Sequence, residues 1–576
     1  MDNKLIAEML DEIADMLSLE EKPTTRFEIR AYKKASLNIA TMQEPIEEVY
    51  QNGGAKALME IPGIGKGIAG NIEEFIKTGK MKKYSDLKKK YPVNMKELTS
   101  IQGIGAKKAI LLYRDLKVKD IKTLKDALKL HKVKELPGFG EKSEESIEKG
   151  LAMYEAEKGR MLLGEALPEA ESIIKKLTAS GLVENAIVAG SSRRMRETVG
   201  DLDILAISKT PDKAMEFFAG MDNVSDVILK GPTKTTVRLK IGLNCDFRVL
   251  EPKSFGAGVQ YFTGSRDHNI QVRTIAVKNG YKLNEYGLFD NNGNIITSER
   301  EESIYEELGM QWMPPEMREA RGEVKLSLEH RIPRLVELGD IKGDLHSHTK
   351  ETDGSNSLEE MVGAAIESGF EYLAVTNHTK SLKIARGMDD KQFIKFFEKI
   401  DRINEKVSGK ITVLKGAEVD ILKNGELDLS NKTLKEMDCA VCAVHSFFNM
   451  NEEEMTARVI KAMESGLVNV LAHPTGRLIK ERQGYRINIE KIADAAERNN
   501  VALEINSWPD RLDLNDTNIL LASKFNVMFS IDTDSHSTSN FRFIRYGVGT
   551  ARRGWLKKES VVNAMGVKDL LKKFGK

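Results

Sequence analysis

The chain has 576 residues, 41% of them hydrophobic and 30% charged, and a net charge of +1. This length exceeds what one hydrophobic core serves, so about three to five domains are expected. The apolar runs, such as residues 467–472, are too short to span a bilayer, and residues 1–17 form an acidic amphipathic pattern rather than a secretion signal. Three cysteines exclude a disulfide framework, and Cys439 and Cys442 would point to opposite faces of a strand and share no metal. We therefore expect a cytoplasmic multidomain protein with no membrane partner.

The first part of the chain, up to about residue 155, has the pattern of short helices joined by glycine-rich turns. An apolar residue, a Gly-x-Gly turn and an apolar-periodic helix recur at residues 61–72, 101–110 and, more weakly, 136–143. Glycines allow a positive φ and let a phosphate approach the backbone, while the free N–H groups of the following helix favour an anion. The pattern resembles the helix-hairpin-helix motif, which binds the DNA backbone without reading its sequence. This resemblance implies DNA contacts at Gly63, Gly65, Gly103 and Gly105.

Lysines are concentrated beside these turns. Residues 103–134 contain ten Lys or Arg against three acids, and residues 76–91 contain seven lysines against one aspartate. A lysine run is most often the solvated face of a helix. Next to three phosphate-binding turns, the runs favour a nucleic-acid surface instead.

Three aspartates mark a candidate catalytic site in residues 160–315, where β-branched runs alternate with helices. Asp201 and Asp203 begin an apolar run, and Asp246 lies in a later strand-like segment. Alternation places the first two on one face of a strand, where they can hold two Mg²⁺ ions while Asp246 completes one site. A Gly-Ser turn and Arg194 precede them and can hold a triphosphate. Paired acids are usually just exposed strand ends, but this combination favours a nucleotidyltransferase fold.

The Tyr-Phe-Thr-Gly-Ser segment at residues 261–265 narrows the interpretation to one family. With it, the stretch from about residue 1 to 315 resembles the family X, or polymerase beta-like, DNA polymerases. The resemblance implies a multidomain fold with an all-α helix-hairpin-helix region and an α/β nucleotidyltransferase palm. It also implies in-line phosphoryl transfer with Mg²⁺ or Mn²⁺, on gapped or primed double-stranded DNA and with dNTPs as substrates.

The resemblance gives each matching residue a role. Asp201 and Asp203 would ligate both metal ions, and Asp246 would ligate the catalytic one and help to deprotonate the primer 3′-OH. The implied nucleotide contacts are Ser191, Arg194 and Gly200 with the phosphates, Tyr261 and Phe262 with the sugar, and Asn269 with the base. Arg273 would contact the template strand.

The chain also departs from the pattern of polymerase beta. Met195 replaces a glycine, so the loop beside the triphosphate is expected to differ. Asn71 stands at the position of the lysine that forms a Schiff base in the deoxyribose-phosphate lyase step, and asparagine cannot form one. Phe27 could stack on a base, whereas Glu28 would repel the 5′ phosphate. We expect no lyase activity through the usual residue, and Lys66 is the alternative nucleophile.

Six of the nine histidines lie after residue 340, and each follows a short apolar run. Seven candidate strands separated by helix-like segments predict a βα barrel, in which polar groups at the C-terminal strand ends form the active site. A single histidine is most often a hydrogen-bonded core residue, but six in one pattern favour a metal centre. Mixed imidazole and carboxylate ligands suit Zn²⁺, Mn²⁺ or Fe²⁺ better than Mg²⁺.

This C-terminal stretch resembles the PHP (polymerase and histidinol phosphatase) domain. The resemblance implies nine metal ligands: His346, His348, Asp353, His378, Glu418, His445, His473, Asp534 and His536. They would hold a cluster of up to three Zn²⁺ or Mn²⁺ ions that activates a hydroxide against a phosphate ester. Family members of this two-part type act as 3′–5′ exonucleases, and some cut at abasic sites or remove 3′ phosphates. Asn377 replaces a common aspartate and is expected behind the ligands.

These segments predict six regions along the chain. They are a lyase-like helical domain with the first hairpin (1–80), a helical DNA-binding domain with the second and third hairpins (81–155), the palm (156–250), a nucleotide-selection subdomain (251–315), a charged, proline-containing linker (316–338) and the PHP domain (339–576).

Three functions remain open at this point. The first is a monomeric, bifunctional repair enzyme that fills short gaps in base-excision or end repair and trims 3′ ends with its PHP domain. The second is a polymerase whose PHP domain is catalytically silent, although a scaffold would not need nine filled ligand positions. The third is a small-molecule phosphatase with a DNA-binding domain, against which the hairpins and residues 261–265 argue.

Overall fold

The chain forms two structural units, Met1–Lys158 and Gly159–Lys576. A computed structural model describes residues 3–20, 25–42, 45–61, 63–101, 103–157 and 159–576. No helix among these residues is both long and apolar enough to cross a membrane.

The described part of the first unit is helical. Its helices are α1 (Asn3–Ser18), α2 (Thr25–Thr41), α3 (Ile46–Glu60), α4 (Lys66–Thr78), α5 (Lys82–Lys90), α6 (Met95–Thr99), α7 (Ala106–Leu116), α8 (Ile121–Lys129) and α9 (Glu141–Glu157). Helices α1 to α5 share one core, around Ile13 and Ile72, and α6 to α9 share another, around Leu98 and Leu124. The acidic N-terminal pattern therefore packs its apolar face inward, as an amphipathic helix of a globular domain does.

The repeated glycine turns lie directly before helices. Gly63 and Gly103 both have φ +94°, a region that favours glycine, and Gly65 and Gly105 are the residues that precede the first turns of α4 and α7. The two turns have the same φ at their first glycine because each reverses the chain sharply before the N-terminus of a helix. Gly138 also has a positive φ, of 84°, shortly before α9.

The second unit begins with an α/β region. Its elements are β1 (Met161–Leu162), α10 (Leu163–Ala179), β2 (Asn185–Val188), α11 (Gly190–Arg193), β3 (Thr198–Val199), β4 (Asp201–Ile207), α12 (Pro211–Ala219), β5 (Val224–Lys230), β6 (Lys234–Leu239) and β7 (Asn244–Leu250). Five strands form one sheet, here called the palm sheet, in the order β2-β4-β7-β6-β5 within the described residues. Strands β4 and β7 run parallel and the other neighbours antiparallel, so the first residues of β4 and β7 meet at one end.

A smaller α+β region follows the palm sheet. Its elements are α13 (Phe255–Thr263), α14 (Arg266–Lys278), β8 (Lys282–Asn284), β9 (Gly287–Phe289), β10 (Ile295–Thr297), α15 (Glu301–Glu307) and α16 (Glu323–Leu328). The segment 316–338, expected as a linker, carries fully buried charges. Arg318 pairs with Glu301 (2.6 Å), and Glu323 pairs with the buried His268 (2.8 Å). These contacts fix the segment against α14 and α15.

The remaining residues form a nearly closed barrel. Its elements are β11 (Gly343–Asp344), α17 (Leu358–Glu367), β12 (Tyr372–Val375), α18 (Asp390–Lys406), β13 (Thr412–Asp420), α19 (Asn431–Lys435), β14 (Cys439–Ala443), α20 (Glu452–Met463), β15 (Val470–Leu471), α21 (Ile489–Asn499), β16 (Ala502–Asn506), α22 (Asp516–Ala522), β17 (Phe529–Asp532), α23 (Ile544–Arg553) and α24 (Val567–Lys573). In the described residues, seven strands pair in parallel in chain order, which confirms the predicted βα barrel.

The ends of the barrel sheet approach each other beyond β11 and β17. Ser347 and Ser535 form a parallel bridge, and His348 N–H donates to the carbonyl of Ser535 (2.8 Å). On β14, Cys439 belongs to the core inside the strands and Cys442 to the core between strands and helices. The prediction that these two cysteines face opposite ways is therefore confirmed.

The barrel packs directly against the palm sheet within this unit. Ile479, Leu512 and Tyr546 from the barrel contribute to the hydrophobic core of the palm. Arg477 also pairs with Glu197 across the contact (2.6 Å). The palm and the barrel therefore share buried apolar surface, which makes them one unit.

The buried Arg318 provides a test of how strongly segment 316–338 is held. Its guanidinium donates to Glu301 and makes two hydrogen bonds to the carbonyl of Met313, at 2.9 and 2.7 Å. Arg318→Met leaves these acceptors without their buried partner, and we expect it to destabilise residues 159–576 by about 3 kcal/mol. Chemical denaturation measures this loss. The exposed Lys325→Met serves as the control, and equal stability of the two variants would contradict the structural role of Arg318.

Candidate active sites

Three aspartates converge at one end of the palm sheet. Asp201 and Asp203 are two residues apart on β4, and Asp203 lies directly opposite Asp246 on β7. Burial, together with the charges of Asp201 and Asp246, raises the pKa of Asp203 to about 7. Asp246 also accepts a hydrogen bond from Thr236 Oγ1 (2.6 Å) and pairs with Lys234 Nζ (2.6 Å). Carboxylates this close repel one another unless cations lie between them, so the group fits divalent metal ions.

Gly190 brings the Gly-Ser turn against these carboxylates. It has φ +62°, and a Cβ atom at this position would lie 2.5 Å from Asp203 Oδ2. A side chain would therefore displace Asp203, and only glycine fits this close approach. The turn leads into Ser191, which lines a cavity beside the carboxylates.

The cavity beside the aspartates has a volume of about 410 Å³. The predicted site residues that line it are Ser191, Arg194, Asp201, Asp203, Tyr261, Phe262, Asn269 and Arg273. Three further cations, Arg160, Arg196 and Arg266, also line it and were missed in the sequence because no motif marks them. Gly200 packs against Arg160, since a Cβ there would lie 3.1 Å from Arg160 Nη1. The five arginines and two aspartates that line the cavity suit a polyanion with bound cations.

Two of the predicted nucleotide-contacting side chains are already hydrogen-bonded within the chain. Arg194 is buried, and its guanidinium pairs with Glu319 (3.1 Å) and donates to the carbonyl of Thr263. The Asn269 amide donates to the carbonyl of Tyr261 (2.7 Å) and accepts from Gln260 Nε2 (2.9 Å). These contacts orient both side chains before any nucleotide binds.

The nine predicted PHP ligands lie together at one end of the barrel. Each follows or ends a strand, so the parallel β11 to β17 direct them to the same rim. Three overlapping groups have ligand atoms within 4.8 Å of one another: His348, Asp353, His378 and His536; His346, His348 and Asp534; and His378, Glu418 and His445. His473 lies outside these groups but contacts Glu418. The first group shares His348 with the second and His378 with the third, so the groups fit a cluster of closely spaced ions.

Glu418 is the centre of this cluster. It is buried at the end of β13, and five histidine side chains lie within 3.5 Å of its two oxygens. Oε2 faces Nδ1 of His378 at 2.9 Å, and Oε1 faces Nε2 of His473 at 2.9 Å. A carboxylate with histidines around both oxygens is placed to bridge metal ions.

The donor set fits metal ions better than it fits hydrogen bonding. Nε2 of His346 and both ring nitrogens of His348 are buried and make no hydrogen bond to any residue in the described ranges. Buried polar atoms without partners are uncommon in folded proteins and call for a ligand. Imidazole nitrogen and carboxylate oxygen are the ligand types of Zn²⁺ and Mn²⁺ sites. The barrel rim therefore has the chemistry of a transition-metal centre.

The electrostatics of the rim reflect its mixed charges. Burial and the charges of His536 and His378 lower the pKa of His348 to about 3, so His348 stays in the neutral form that ligates metals. Burial disfavours the charged form of His378 as well, but Glu418 and Asp353 outweigh it and raise the pKa of His378 to about 10. Metal ions bound here would take the place of protons on the other histidines.

Two acids behind the ligands were missed in the sequence. Glu504 Oε1 lies 2.6 Å from Nδ1 of His346, and Asp420 Oδ1 lies 3.1 Å from Nδ1 of His445. Carboxylates in this position fix the orientation of a ligating imidazole. Asn377 lies behind the ligands as expected, since its Oδ1 accepts from Thr349 N–H at 2.9 Å.

The N-terminal unit shows how the departures at its lyase-like position are accommodated. Asn71 donates through Nδ2 to the hydroxyl of Tyr32 (2.6 Å), so its side chain is used in packing. Glu28 pairs with Lys83, which offsets the expected repulsion of a phosphate. Phe27 is 80% exposed, and Lys66, at the start of α4, is also exposed.

Comparisons with known proteins agree with this architecture. Family models match for a helix-hairpin-helix domain over residues 1–81, a SAM-like helix-hairpin-helix tandem over 95–152, the DNA polymerase beta thumb over 258–319 and the PHP domain over 344–508. A Bacillus subtilis (strain 168) protein named "DNA polymerase/3'-5' exonuclease PolX" is 36% identical over 576 residues, 99% of each chain. The chain belongs to the PolX family.

PolX proteins join a family X polymerase to a C-terminal PHP domain, and both parts depend on metal ions. Shorter matches are proteins described as "Probable phosphatase" in Shewanella frigidimarina (strain NCIMB 400) and Shewanella halifaxensis (strain HAW-EB4). These are 30% and 32% identical over 168 and 169 residues, which is 28% of this PolX chain and 62% of each relative. The predicted family and fold class are therefore confirmed.

Metal binding at the barrel rim is expected to stabilise the folded chain. After removal of metal ions with a chelator, added Mn²⁺ or Zn²⁺ should raise the midpoint of thermal unfolding, because a ligand at about a hundred times its Kd stabilises by about 2.7 kcal/mol. Glu418→Gln should lose most of this increase, whereas the exposed Glu436→Gln should keep it. An equal increase in both variants would show that Glu418 does not hold the ions.

Proposed function

We propose that this chain is a monomeric DNA-directed DNA polymerase that fills short gaps during repair and removes nucleotides from 3′ ends with its PHP domain. The proposal is supported by two separate clusters in one unit, the aspartates at one end of the palm sheet and the His, Asp and Glu groups at the barrel rim. The 36% identical relative is named for both activities. Gapped or primed DNA and dNTPs would be the substrates.

The palm carboxylates would carry nucleotidyl transfer. Two Mg²⁺ or Mn²⁺ ions held by Asp201, Asp203 and Asp246 would neutralise the charge that develops on the phosphoryl group. Asp246 would help to remove the proton of the primer 3′-OH, and its contacts with Lys234 and Thr236 would hold the carboxylate in position. The cationic walls of the cavity would orient the triphosphate for in-line attack.

Residues around the cavity would position the nucleotide and the template. Ser191, Arg194 and Gly200 would lie beside the phosphates, Tyr261 and Phe262 beside the sugar, Asn269 beside the base and Arg273 beside the template. The T-shaped contact of the Tyr261 and Phe262 rings (5.1 Å) supports a fixed wall on the sugar side. Because Asn269 is already bonded to Tyr261 and Gln260, base contact would depend on this local network.

The hairpins would hold the DNA backbone. A Cβ added at Gly65 or Gly105 would meet no atom of the described residues within 4 Å, so a phosphate would have room to approach the chain just before α4 and α7. The neighbouring lysines would add sequence-independent attraction that weakens as salt rises. The positive φ of Gly63 and of Gly103 reverses the chain before α4 and before α7.

The barrel rim would carry phosphodiester hydrolysis. Up to three Zn²⁺ or Mn²⁺ ions held by the nine ligands would polarise the scissile phosphate and make water a stronger nucleophile. Glu504 and Asp420 would keep His346 and His445 aligned. The same chemistry would extend to abasic sites and 3′ phosphates. A silent PHP domain is disfavoured because nothing in packing alone requires nine convergent ligands with unpartnered buried nitrogens.

The N-terminal unit is not expected to act as a deoxyribose-phosphate lyase through the usual position. Asn71 lacks an amine, and its amide donates to Tyr32. Lys66 remains the alternative nucleophile, because it is exposed at the start of the helix that carries Asn71.

Two variants separate the proposed activities. On a one-nucleotide gapped duplex with one dNTP and Mn²⁺, Asp201→Ala should reduce extension more than about a hundredfold, because loss of a metal ligand removes several kcal/mol of stabilisation. It should leave 3′ trimming unchanged. His346→Ala should do the reverse, since it removes a barrel ligand only. Product lengths on a denaturing gel measure both reactions.

Matched controls are the exposed Asp226→Ala and His330→Ala, which should preserve both reactions. Normal extension by Asp201→Ala would contradict the polymerase assignment. Normal trimming by His346→Ala would contradict the exonuclease assignment and leave the silent-domain alternative.

A further inference from the structure

An exposed aromatic ring stands two residues after the ligand His445. Phe447 is 54% exposed and has φ +60°, a backbone conformation that bulky residues rarely adopt. An aromatic side chain held in this conformation and turned to solvent is costly both in backbone strain and in exposed apolar surface. Neither cost is explained by packing, because the ring contributes to no core.

Phe447 lines two grooves on the surface of the barrel. The larger, about 790 Å³, extends from His445 and is also lined by Phe448, Arg482 and Arg486. The smaller, about 590 Å³, is also lined by Phe447. Phe447, Asn449 and Met450 line both grooves, and the larger groove reaches the predicted ligand His445.

The surroundings of the ring are cationic. Lys423 Nζ lies 5.4 Å from the ring centroid and the guanidinium of Arg458 lies 5.9 Å from it, while Lys461 lines the smaller groove. Glu454 is the acid among the residues that line the two grooves. An aromatic face surrounded by fixed positive charge is complementary to a stacked base with phosphates on both sides.

The neighbouring ring, Phe448, is covered by other side chains. Phe448 stacks on Tyr485 with centroids 5.8 Å apart and an interplanar angle of 10°, and Arg482 covers it at 4.6 Å. These contacts fix the floor of the larger groove. Phe447 is therefore the ring that remains accessible to a ligand.

We propose that Phe447 is a stacking platform for a nucleobase near the 3′ end of single-stranded DNA. Stacking on this ring positions the terminal phosphodiester bond at the barrel rim. This inference rests on the proposed exonuclease function and names the subsite that would hold its substrate. The larger groove receives the nucleotide next to the ligands, and the smaller groove receives the strand behind it. Stacking is tolerant of sequence because every base has an aromatic face.

The test measures single-turnover 3′–5′ degradation by the full chain with Mn²⁺ on two single-stranded oligonucleotides. One is normal, and the other carries abasic sugars at its last three positions. With enzyme in excess over DNA but below its Kd for DNA, Phe447→Ala should slow degradation of the normal strand about tenfold, because one base–aromatic stack is lost. Phe447→Trp should restore it. Both variants should degrade the abasic-ended strand at the wild-type rate, since that strand has no base to stack.

Ile394→Ala, at an exposed apolar position on α18, is the matched control and should not change either rate. Gap filling by Phe447→Ala should equal that of the wild type, which shows that the variant is folded. Equal slowing on both oligonucleotides would overturn the proposal and indicate that the substitution disturbs His445. The absence of slowing on either oligonucleotide would also overturn it and indicate that the ring contacts another partner. If the wild-type chain fills gaps but degrades neither strand, the proposed exonuclease function itself fails, and the inference fails with it.

Discussion

The burial of one carboxylate among five histidines is the constraint around which the C-terminal half is organised. Glu418 lies at the end of β13, and the histidines that surround it come from the ends of other strands. Parallel strands in a closed sheet bring such ends to one rim, which neither an open helix bundle nor a single loop would do. Ring nitrogens of His346 and His348 there make no hydrogen bond to the described residues, and metal ions would complete their coordination.

Parallel strands also bring the palm carboxylates together. Asp203 and Asp246 lie opposite each other on the parallel strands β4 and β7, and burial, together with the charges of Asp201 and Asp246, raises the pKa of Asp203. The two centres also belong to one packed unit. Glu319 pairs with Arg194 beside the palm cavity (3.1 Å) and with Arg553 from the barrel (2.9 Å). The loop beside the palm cavity is therefore supported by the barrel.

The side chain of Met195 also packs against the barrel. A Cβ at Gly549 on α23 would lie 2.5 Å from Met195 Cε, so the methionine side chain fills the space against that glycine. Where the sequence pattern of polymerase beta has a glycine, this chain has an apolar side chain that packs on the barrel. The Met195 side chain therefore contributes to the contact between the loop and the barrel.

Much of this architecture could be predicted from local patterns. The seven strands followed from apolar runs that end in polar residues, and the opposite orientation of Cys439 and Cys442 followed from strand alternation alone. Contacts between distant segments could not be predicted in this way. Glu504 meets His346 across 158 residues, and no spacing rule links them. The buried charges of segment 316–338 were also missed, because prolines and charges in a sequence indicate a linker whether or not their partners bury them.

The central claim is that one chain holds two distinct metal centres. Anomalous X-ray diffraction from crystals soaked in Mn²⁺, measured at the manganese absorption edge, tests it most directly. The structure predicts anomalous peaks among Asp201, Asp203 and Asp246, and a second set of up to three peaks among the nine ligands at the barrel rim. Peaks at the palm alone, with none near Glu418, would contradict the account of the barrel as a metal-dependent phosphoesterase.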